Sequence, residues 1–257
     1  MTTLSVTDQL LQAYETAYNE TWKKFKIVPK HDGEYRAFEI PDDSKYIDKA
    51  VVPSEVKMYY MTITNPDGST KKVTVFGDGP YSNWFPCEIK ADGQTYYSSE
   101  QMFMYKKASS EYFTKPSKEI EDDAEQVIEH NEAIKAHNKD IADQIMKCRC
   151  PMELQKYGRQ LKLDIDAWNL ASSEILKTCI VEKFEQNPYL KAILDIAHDN
   201  KCSIIEGTKD QNYGCGVKFD PTNEEHLNPK NWTGKMLLTD IYKKAMDTIY
   251  KKAMNTI

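Results

Sequence analysis

The 257-residue sequence predicts an α+β fold that is mostly α-helical, with a small β-hairpin or sheet region near its start. Three observations predict it. Apolar residues recur at helical spacing in residues 4–27 and through most of the chain after residue 97. Two β-branched runs flank an Asn-Pro-Asp-Gly turn sequence at 65–68. A short apolar run at 202–207, CSIIEG, predicts one more strand late in the chain.

The first predicted element is an amphipathic helix within residues 4–27, with Thr7 and Asp8 as candidates for its N-terminal cap. We expect this helix to dock on the body of the protein through an apolar stripe spaced three and four residues apart. The stripe consists of Leu10, Leu11, Tyr14, Ala17, Tyr18, Thr21, Trp22 and Phe25. Residues 28–54 are rich in Pro, Asp and Lys, which predicts a long irregular connection. Residues 1–55 are therefore expected to form a segment that precedes the main domain.

The strands are predicted from their turns. A β-hairpin is expected over roughly residues 56–64 and 71–76, on either side of the Asn-Pro-Asp-Gly sequence. A further strand candidate is CEIKADGQTYY at 87–97, in which Asp92-Gly93 supplies the turn. The expected sheet is therefore small and is formed before the chain becomes mostly helical.

Three helices are predicted in the second half of the chain before its last segment. Residues 118–147 are polar with only a thin apolar stripe, so this helix is expected to face solvent. A break is expected near Asn131 or Asn138. Two further helices are predicted at 172–186 and 188–198.

The chain ends in a predicted helix that contains a local repeat. The repeat is IYKKAMDT at 241–248 followed by IYKKAMNT at 249–256. A period of eight residues does not match 3.6 residues per turn, so the repeat is not a coiled-coil signature. We expect it only to lengthen the helix.

Composition and charge narrow the class of protein. The net charge is −6 and no long basic run occurs, so there is no electrostatic footprint for duplex DNA. The first fifteen residues lack the pattern of a secretory signal, and no apolar run reaches the length that spans a bilayer. We therefore expect a cytoplasmic protein with no membrane partner, whose six cysteines are reduced thiols. Sixteen tyrosines suit sugar or base binding, and equally a half-buried surface.

Common cofactor and metal motifs do not occur in the sequence. No P-loop sequence is present, and Gly77-Asp78-Gly79 precedes a proline where a dinucleotide-binding loop would precede a helix. Cys148 and Cys150 are closer together than the usual zinc-binding pair, and no second pair follows. The sequence therefore predicts neither a cofactor nor a metal.

The strongest candidate site is YSSEQMFMYKK at 97–107. Ser98 followed by Gln101 forms a capping box, which places Glu100 in the first helical turn, where a charged carboxylate is favoured. Lys107 lies nearly two turns later on the same face, about 10 Å away along the axis. A ribose could span such a gap between a carboxylate and an ammonium group. On spacing alone, a helix with ordinary charges at both ends is the simpler interpretation.

Several blocks of the sequence, in order, resemble the NADAR superfamily over about residues 74–245. The blocks are YSNWFP at 81–86, DGQTYYSSEQMFMYKK at 92–107, Tyr157-Gly158-Arg159 with Ala167-Trp168, Glu182-Lys183-Phe184, the segment 205–216, and Asn231-Trp232-Thr233-Gly234-Lys235. The resemblance implies a single YbiA/NADAR-like catalytic domain at 56–257, with an insertion at about 110–140. Gln101 stands where the family usually has histidine, Tyr213 where it has tryptophan, and Thr233 where it has leucine.

The resemblance implies cleavage of N-glycosidic bonds, with Glu100, Lys107 and Asp210 as catalytic residues. Glu100 would orient the ribose hydroxyls or act as a base, and Lys107 would act as an acid or as an amine nucleophile. Asp210 would hold the sugar or position the base. The implied substrate-binding residues are Asn83, Arg159, Trp168, Tyr213, Gly214, Gly216 and Asn231. No cofactor is implied.

Structural alternatives stay open for several of these residues. Asp210 also fits a turn aspartate, and Arg159 also fits a structural ion pair. Trp168 and Tyr213 also fit positions in the core. The Gly-Cys-Gly sequence at 214–216 also fits an ordinary turn.

The preferred hypothesis is an N-glycosidase that hydrolyses a ribose C1′–N bond and removes ADP-ribose from guanine bases or nucleotides. One alternative is hydrolysis of ribosylamino-pyrimidine phosphate intermediates of riboflavin synthesis. Another is a non-catalytic ADP-ribose-binding module, which the changes at Gln101 and Tyr213 favour. The expected partner is an ADP-ribose-containing or ribosylamino small molecule, with ADP-ribosylated nucleic acid as a second candidate. The sequence leaves the oligomeric state open.

Overall fold

The structure is a computed structural model that describes residues 4–29, 36–39, 58–65, 67–112 and 114–254. Its helices are α1 Val6–Trp22, α2 Ser99–Ala108, α3 Ala124–Lys147, α4 Pro151–Gly158, α5 Ile165–Gln186, α6 Pro188–Asp199 and α7 Leu237–Met254. Its strands are β1 Lys26–Pro29, β2 Arg36–Glu39, β3 Met58–Thr64, β4 Thr70–Phe76, β5 Ile89–Ala91, β6 Gln94–Tyr96 and β7 Ser203–Glu206. The prediction of a mostly helical α+β fold is confirmed.

Helix α1 docks on the body of the protein, as its apolar stripe predicts. Its buried residues join the main hydrophobic core, and the helix packs along α6. The cap differs from the prediction: Ser5 is the N-cap, and its Oγ accepts a hydrogen bond from the Asp8 N–H at 3.2 Å. Thr7 and Asp8 are therefore in the first turn. The N-cap serine satisfies a backbone donor that would otherwise lack a partner.

The predicted irregular connection at 28–54 contains regular structure at its start. Strands β1 and β2 pair antiparallel, with Lys26 opposite Glu39 and Pro29 opposite Arg36. Short runs of β-branched and aromatic residues on both sides form this ribbon, and the Pro, Asp and Lys content of the surrounding sequence masks them. The rest of this predicted connection lies outside the described residues.

The main sheet has three strands in the order β3-β4-β7. Strands β3 and β4 form the predicted antiparallel hairpin, and Gly68, with φ +85°, donates its N–H to the Asn65 carbonyl in the turn. Strand β7 pairs parallel to β4, with Val73 opposite Ser203. Strand β4 is therefore central, and Val73 and Val75 are fully buried.

The strand candidate at 87–97 consists of two short strands, β5 and β6, which pair only with each other among the described strands. Asp92 and Gly93 both have positive φ, at 51° and 72°, as a two-residue hairpin turn requires. The residue after this ribbon leads directly into the start of α2. The ribbon therefore fixes where the candidate site helix begins.

Helix α3 differs from its prediction because it is unbroken and partly buried. Asn138 lies in its middle with 1% of its surface exposed. The Asn138 side chain donates to the Lys162 carbonyl at 3.1 Å and accepts from the Lys162 N–H at 3.0 Å. It thereby anchors the helix instead of breaking it, and Asn131 does not break it either. Three isoleucines of the thin stripe are buried: Ile134, Ile141 and Ile145.

Helices α5, α6 and α7 and the loop after β4 meet in an aromatic part of the main core. The rings of Tyr81, Phe184 and Tyr242 contact one another, with centroids 5.9–6.3 Å apart. The Tyr242 hydroxyl donates to the Tyr81 carbonyl, and the Tyr81 hydroxyl donates to the Ile193 carbonyl at 3.0 Å. Helices α5 and α6 correspond to predicted elements, whereas α4 was not predicted. This network fixes the middle of the loop 77–86, which enters the candidate site.

Candidate functional site

A cavity of about 990 Å³ lies between α2, α4 and the loops that follow β4 and β7. Cavities of this size hold nucleotide-sized ligands. Six of the residues that the sequence singles out line it: Glu100, Lys107, Asp210, Asn83, Arg159 and Tyr213. The structure therefore brings together the three predicted catalytic residues.

Glu100 lies in the first turn of α2 and is 5% exposed. Its own N–H donates to the Asn83 carbonyl at 3.0 Å, and the next N–H donates to Ser98 Oγ at 3.0 Å. Burial raises the pKa of Glu100 to about 7, while a hydrogen bond from Gln155 acts in the opposite direction. The prediction that the helix start favours a charged carboxylate is therefore outweighed, because burial dominates and the nearby backbone donors are already used.

One carboxyl oxygen of Glu100 lacks a partner in the described part of the protein. Oε1 is buried, and it has no hydrogen-bond partner among the described residues. A buried oxygen of this kind either carries a proton or accepts a hydrogen bond from a bound molecule. Glu100 can therefore exchange a proton with a ligand in the cavity near neutral pH.

Lys107 reaches the same cavity from the other end of α2. Its Nζ donates to the Gly158 carbonyl at 3.0 Å and lies 5.6 Å from the centre of the Trp168 ring. Burial lowers the pKa of Lys107, the Glu100 carboxyl raises it, and the Arg159 guanidinium lowers it. The ammonium group therefore gives up a proton more readily than an exposed lysine does.

Glu206 is a cavity residue that the sequence analysis did not select. It is the last residue of β7, and burial raises its pKa to about 7, with a further rise caused by Asp210. The Glu206 charge also raises the pKa of Glu100. A carboxylate directly after a short buried strand and before Gly207 is the sequence signal that could have identified it.

Asp210 lies at the exposed rim of the cavity and also forms a turn. Its Oδ1 accepts hydrogen bonds from the N–H groups of Asn212 at 2.8 Å and Tyr213 at 2.6 Å. Tyr213 follows in the same loop, half-buried against the main core, with its ring in the cavity wall. Burial raises the pKa of Tyr213, and the charges of Glu100 and Asp210 raise it further. Asp210 therefore forms a turn and also lines the cavity.

Asn83 and Arg159 occupy different positions in the wall. The Asn83 carbonyl and Oδ1 accept hydrogen bonds from Ser99 Oγ at 3.2 and 3.1 Å, so Asn83 holds the start of α2. Arg159 is the exposed C-cap residue of α4, and its side chain forms no ion pair with any described residue. The ion-pair alternative for Arg159 is therefore not observed in the described parts of the chain, and its guanidinium group remains at the rim.

The structure places the other four predicted binding residues away from the cavity wall. Trp168 lies one layer behind, 6% exposed, with its ring 5.4 Å from that of Phe103. Gly214 and Gly216 pack against neighbouring backbone, and a Cβ on Gly214 would lie 2.6 Å from Thr208 Oγ1. These two glycines thus allow loops to approach each other.

Asn231 is the fourth of these residues, in a 3₁₀ turn that spans Pro229–Asn231. Its side-chain amide donates to the Glu225 carbonyl at 2.8 Å. This bond closes a surface loop on itself. The sequence motif around Asn231 therefore has a loop-forming role in this structure.

Gln101, where the family usually has histidine, does not line the cavity. It is 1% exposed, and its Oε1 accepts from the Tyr97 N–H at 2.8 Å instead of completing the predicted capping box with Ser98. Its amide donates to the carbonyls of Ile145 at 2.9 Å and Cys148 at 3.0 Å. Gln101 therefore ties the start of α2 to the end of α3.

The described residues contain no cluster of histidine, cysteine or carboxylate side chains that could hold a metal ion. Among the helices of the described ranges, none combines the length and the apolar character needed to cross a bilayer.

Comparison with known proteins identifies the family. The NADAR domain matches residues 72–245, which is well over half of the chain, and the chain belongs to the NADAR family. Protein irg-1 of Caenorhabditis elegans is 31% identical over 121 residues, covering 44% of this chain and 56% of that protein. The chain thus spans little more than half the length of that relative. The NMR structure of the Escherichia coli protein YbiA aligns with a TM-score of 0.46 at 19% identity, over 70% of this chain and 86% of YbiA.

Proposed function

We propose that this protein is an N-glycosidase that hydrolyses a ribose C1′–N bond, and that it removes ADP-ribose from guanine bases or nucleotides. The observation that carries the proposal is the pair formed by Glu100 and Lys107. Both groups line one cavity from one helix, and burial moves the pKa of each toward neutrality. Groups with pKa values near the working pH exchange protons most effectively.

Hydrolysis of the bond requires two proton transfers. When the C1′–N bond breaks, its electron pair stays on the nitrogen, which takes a proton from an acid. Water supplies a hydroxyl group to C1′ and gives its proton to a base. Lys107 suits the first step as the acid, and Glu100 suits the second as the base, since a carboxylate also stabilises the positive charge that develops on the sugar.

Lys107 also fits a covalent route. Its neutral amine would attack C1′, and the nitrogen base would leave with the proton that the amine loses. Cleavage of the C1′–O4′ bond, with a proton passing to O4′, would convert the resulting glycosylamine into a Schiff base. Water would then hydrolyse the Schiff base, release the ribose and restore the amine. The lowered pKa of Lys107 supports this route because it increases the fraction of neutral amine. Both routes use the same two residues, and trapping with borohydride separates them, because only the Schiff base is reduced to a stable adduct.

Glu206 provides a second carboxyl group in the same cavity. Its pKa is about 7, like that of Glu100, and the Glu206 charge disfavours the charged form of Glu100. At neutral pH the pair therefore holds one proton readily. We include Glu206 in the proposed machinery as the group whose charge keeps Glu100 protonated near neutral pH.

The cavity supports a substrate with a flat heterocycle and a phosphate. Tyr213 and Trp84 present aromatic rings in the wall, and Arg159 presents a guanidinium group at the rim. Among the described lining residues, Lys107 and Arg159 are the cations, against the carboxyl groups of Asp78, Glu100, Glu206 and Asp210. This acidic balance disfavours a long nucleic acid, whose many phosphates it would repel more strongly than those of a nucleotide or a single extruded base.

One observation favours the alternative substrate, a ribosylamino-pyrimidine phosphate. Arg159 is the cation at the rim, and a single guanidinium group matches one phosphate well. The bond to be cleaved is again ribose C1′–N, so the same catalytic residues apply. The alternative of a non-catalytic binding module is supported by the sequence changes at Gln101 and Tyr213. Because Gln101 does not line the cavity, only the change at Tyr213 still supports this alternative.

The test is turnover on both substrates. We expect release of ADP-ribose from ADP-ribosylated guanosine, and loss of this release in Glu100→Ala and Lys107→Ala. Ribosylamino-pyrimidine phosphate, assayed in parallel by ribose 5-phosphate release, identifies the alternative. Activity that survives both substitutions would contradict the mechanism. Tight ADP-ribose binding in calorimetry without turnover on either substrate would show a binding module.

A further inference from the structure

Helix α1 lies before residue 72, where the NADAR match begins, yet it contacts the cavity. The loop at 77–86, between β4 and β5, supplies much of the cavity wall, including Asp78, Asn83 and Trp84. Two tyrosines of α1 pack on this loop at two separate points. A segment outside the family domain is therefore built into the wall of the site.

Tyr14 supports the first half of the loop. Gly79 has a φ of +92°, and a Cβ built on it would lie 2.5 Å from Cε2 of Tyr14. The Tyr14 ring thus packs directly on the backbone of a turn that is closed by the Ser82 N–H and the Gly79 carbonyl at 2.8 Å. Any side chain at Gly79 would push α1 and the loop apart.

Tyr18 supports the second half of the loop and reaches the cavity itself. Its ring meets the ring of Phe85 edge-on, with centroids 5.2 Å apart, and lies 4.8 Å from the ring of Tyr14. Both Tyr18 and Phe85 line the cavity. Tyr18 is 2% exposed and Phe85 is 3% exposed, so each presents only a small part of its surface to the cavity.

The helix also offers an internal comparison. Leu10 lies on the same stripe of α1 with the same exposed fraction as Tyr18, 2%, and belongs to the same core. Leu10 does not line the cavity. Two equally buried residues of α1 therefore differ in their position, because Tyr18 lines the cavity and Leu10 does not.

We propose that α1 is part of the binding site, and that Tyr18 is a specificity-determining residue that packs against the apolar face of the bound nucleoside. The inference rests on the proposed N-glycosidase function for the identity of the ligand. It assigns a ligand contact to a residue outside the matched domain. A ring at this position orders the substrate without exchanging protons with it.

The first experiment compares Tyr18→Ala with Leu10→Ala on the full chain. Both remove buried atoms from α1, so both are assayed at a temperature where circular dichroism shows a folded chain. We expect Tyr18→Ala to raise KM about tenfold with a much smaller change in kcat, because it removes an aromatic contact from the bound state. Leu10→Ala should leave KM within about twofold of the parent. Equal changes of KM in the two variants would overturn the proposal, and Tyr18→Leu replaces Tyr18→Ala if the latter does not fold.

A second experiment does not depend on catalysis. Tyr18→Cys and Leu10→Cys chains are treated with a small methanethiosulfonate reagent, with and without ADP-ribose, and the unsubstituted chain gives the background from its buried thiols. We expect the Tyr18→Cys chain to be labelled at least tenfold faster than the Leu10→Cys chain, and ADP-ribose to slow only the former. Equally slow labelling would overturn the inference. If the parent chain cleaves neither N-glycoside, the proposed function fails, while the labelling difference still decides whether position 18 faces the cavity.

Discussion

Lys107 and Lys183 are both withdrawn from water, and they differ in what surrounds their ammonium groups. Lys107 is half-buried, donates to the Gly158 carbonyl and lines the cavity that contains Glu100. Lys183 is 0% exposed, and its Nζ donates to the Ser82 carbonyl at 2.7 Å. Burial lowers the pKa of both, that of Lys183 to about 8. A lowered pKa alone therefore does not identify a reacting amine; access to the cavity does.

The two lysines nevertheless serve the same site. Lys183 lies against the rings of Phe85 and Phe184, and forms no ion pair with a described residue. Its hydrogen bond holds the backbone of Ser82, which lies in the cavity-lining loop after β4. Lys183 is thus a positioning residue, whereas Lys107 faces the proposed reaction directly.

The largest expected effect separates the two lysines by turnover. Lys107→Met should reduce single-turnover release of the base about a thousandfold, because it removes the acid or nucleophile. Lys183→Met should reduce it about tenfold at most, the equivalent of one hydrogen bond to the loop.

The matched control for this measurement is Lys106→Met. Lys106 is the neighbouring residue on α2, outside the cavity wall, and it pairs with Asp92 at 2.5 Å. Its loss should change turnover less than about twofold, since exposed ion pairs contribute little. Equal losses for Lys107→Met and Lys183→Met would remove the distinction between a reacting and a positioning lysine.

The next effect concerns the carboxyl group of Glu100, which lines the same cavity as Lys107. The pKa of Glu100 is about 7 in the folded protein, whereas its ordinary value is 4.5. Protonation of Glu100 therefore stabilises the folded state. This stabilisation is complete below pH 4.5 and is lost as the pH rises to about 7. Glu100→Gln should therefore raise the free energy of unfolding at pH 8 by up to about 3 kcal/mol. At pH 4 the gain should vanish. Urea unfolding at the two pH values measures this, and a gain independent of pH would show that Glu100 is not buried as described.

Lys183 should show the opposite dependence on pH. The pKa of Lys183 falls from 10.5 to about 8 because of burial, so its charge destabilises the folded state. This destabilisation is complete below pH 8 and disappears above pH 10.5. At pH 7 this amounts to about 3 kcal/mol, against about 1 kcal/mol for its hydrogen bond. Lys183→Met should thus stabilise the protein by about 2 kcal/mol at pH 7 and lose this gain toward pH 10. Thermal unfolding that shows destabilisation at pH 7 would mean that Lys183 has a partner that offsets its burial.

The smallest expected effect tests how α2 is held. Gln101→Ala removes the hydrogen bonds to Tyr97, Ile145 and Cys148 and leaves the half-buried Tyr97 N–H without its partner. We expect a loss of about 1–2 kcal/mol in the free energy of unfolding, with KM changed less than about twofold. Chemical unfolding and steady-state kinetics measure the two quantities. A large rise in KM with unchanged stability would instead place Gln101 in contact with the substrate.

The part of the site that could be predicted from sequence is the part that depends on local signals. The cap at Ser98 and the seven-residue spacing of Glu100 and Lys107 fix one helix, and α2 presents both residues to the cavity. Glu206 was missed because its position depends on the parallel pairing of β7 with β4, which joins segments about 130 residues apart. Long-range pairing of this kind leaves no periodic pattern in either segment.

Three residues, Asn138, Trp168 and Gly216, have contacts with distant parts of the chain that their local sequence does not predict. Asn138 looked like a helix breaker, but Lys162 offers its backbone to both ends of the amide. Trp168 looked like a stacking surface, but Phe103 lies on it. Gly216 looked like a ligand-binding glycine, but its φ of +81° serves a close approach to Gly234. In each case the decisive partner is distant in sequence, and residue type alone does not reveal it.

The cavity wall draws on residues from Tyr18 near one end of the chain to Leu238 near the other. During synthesis on the ribosome, the ligand site therefore cannot be completed until α7 has left the exit tunnel. Fragments produced by limited proteolysis would each carry only a portion of the wall. The proposed ligand binding would consequently require that α1 and the start of α7 are folded together.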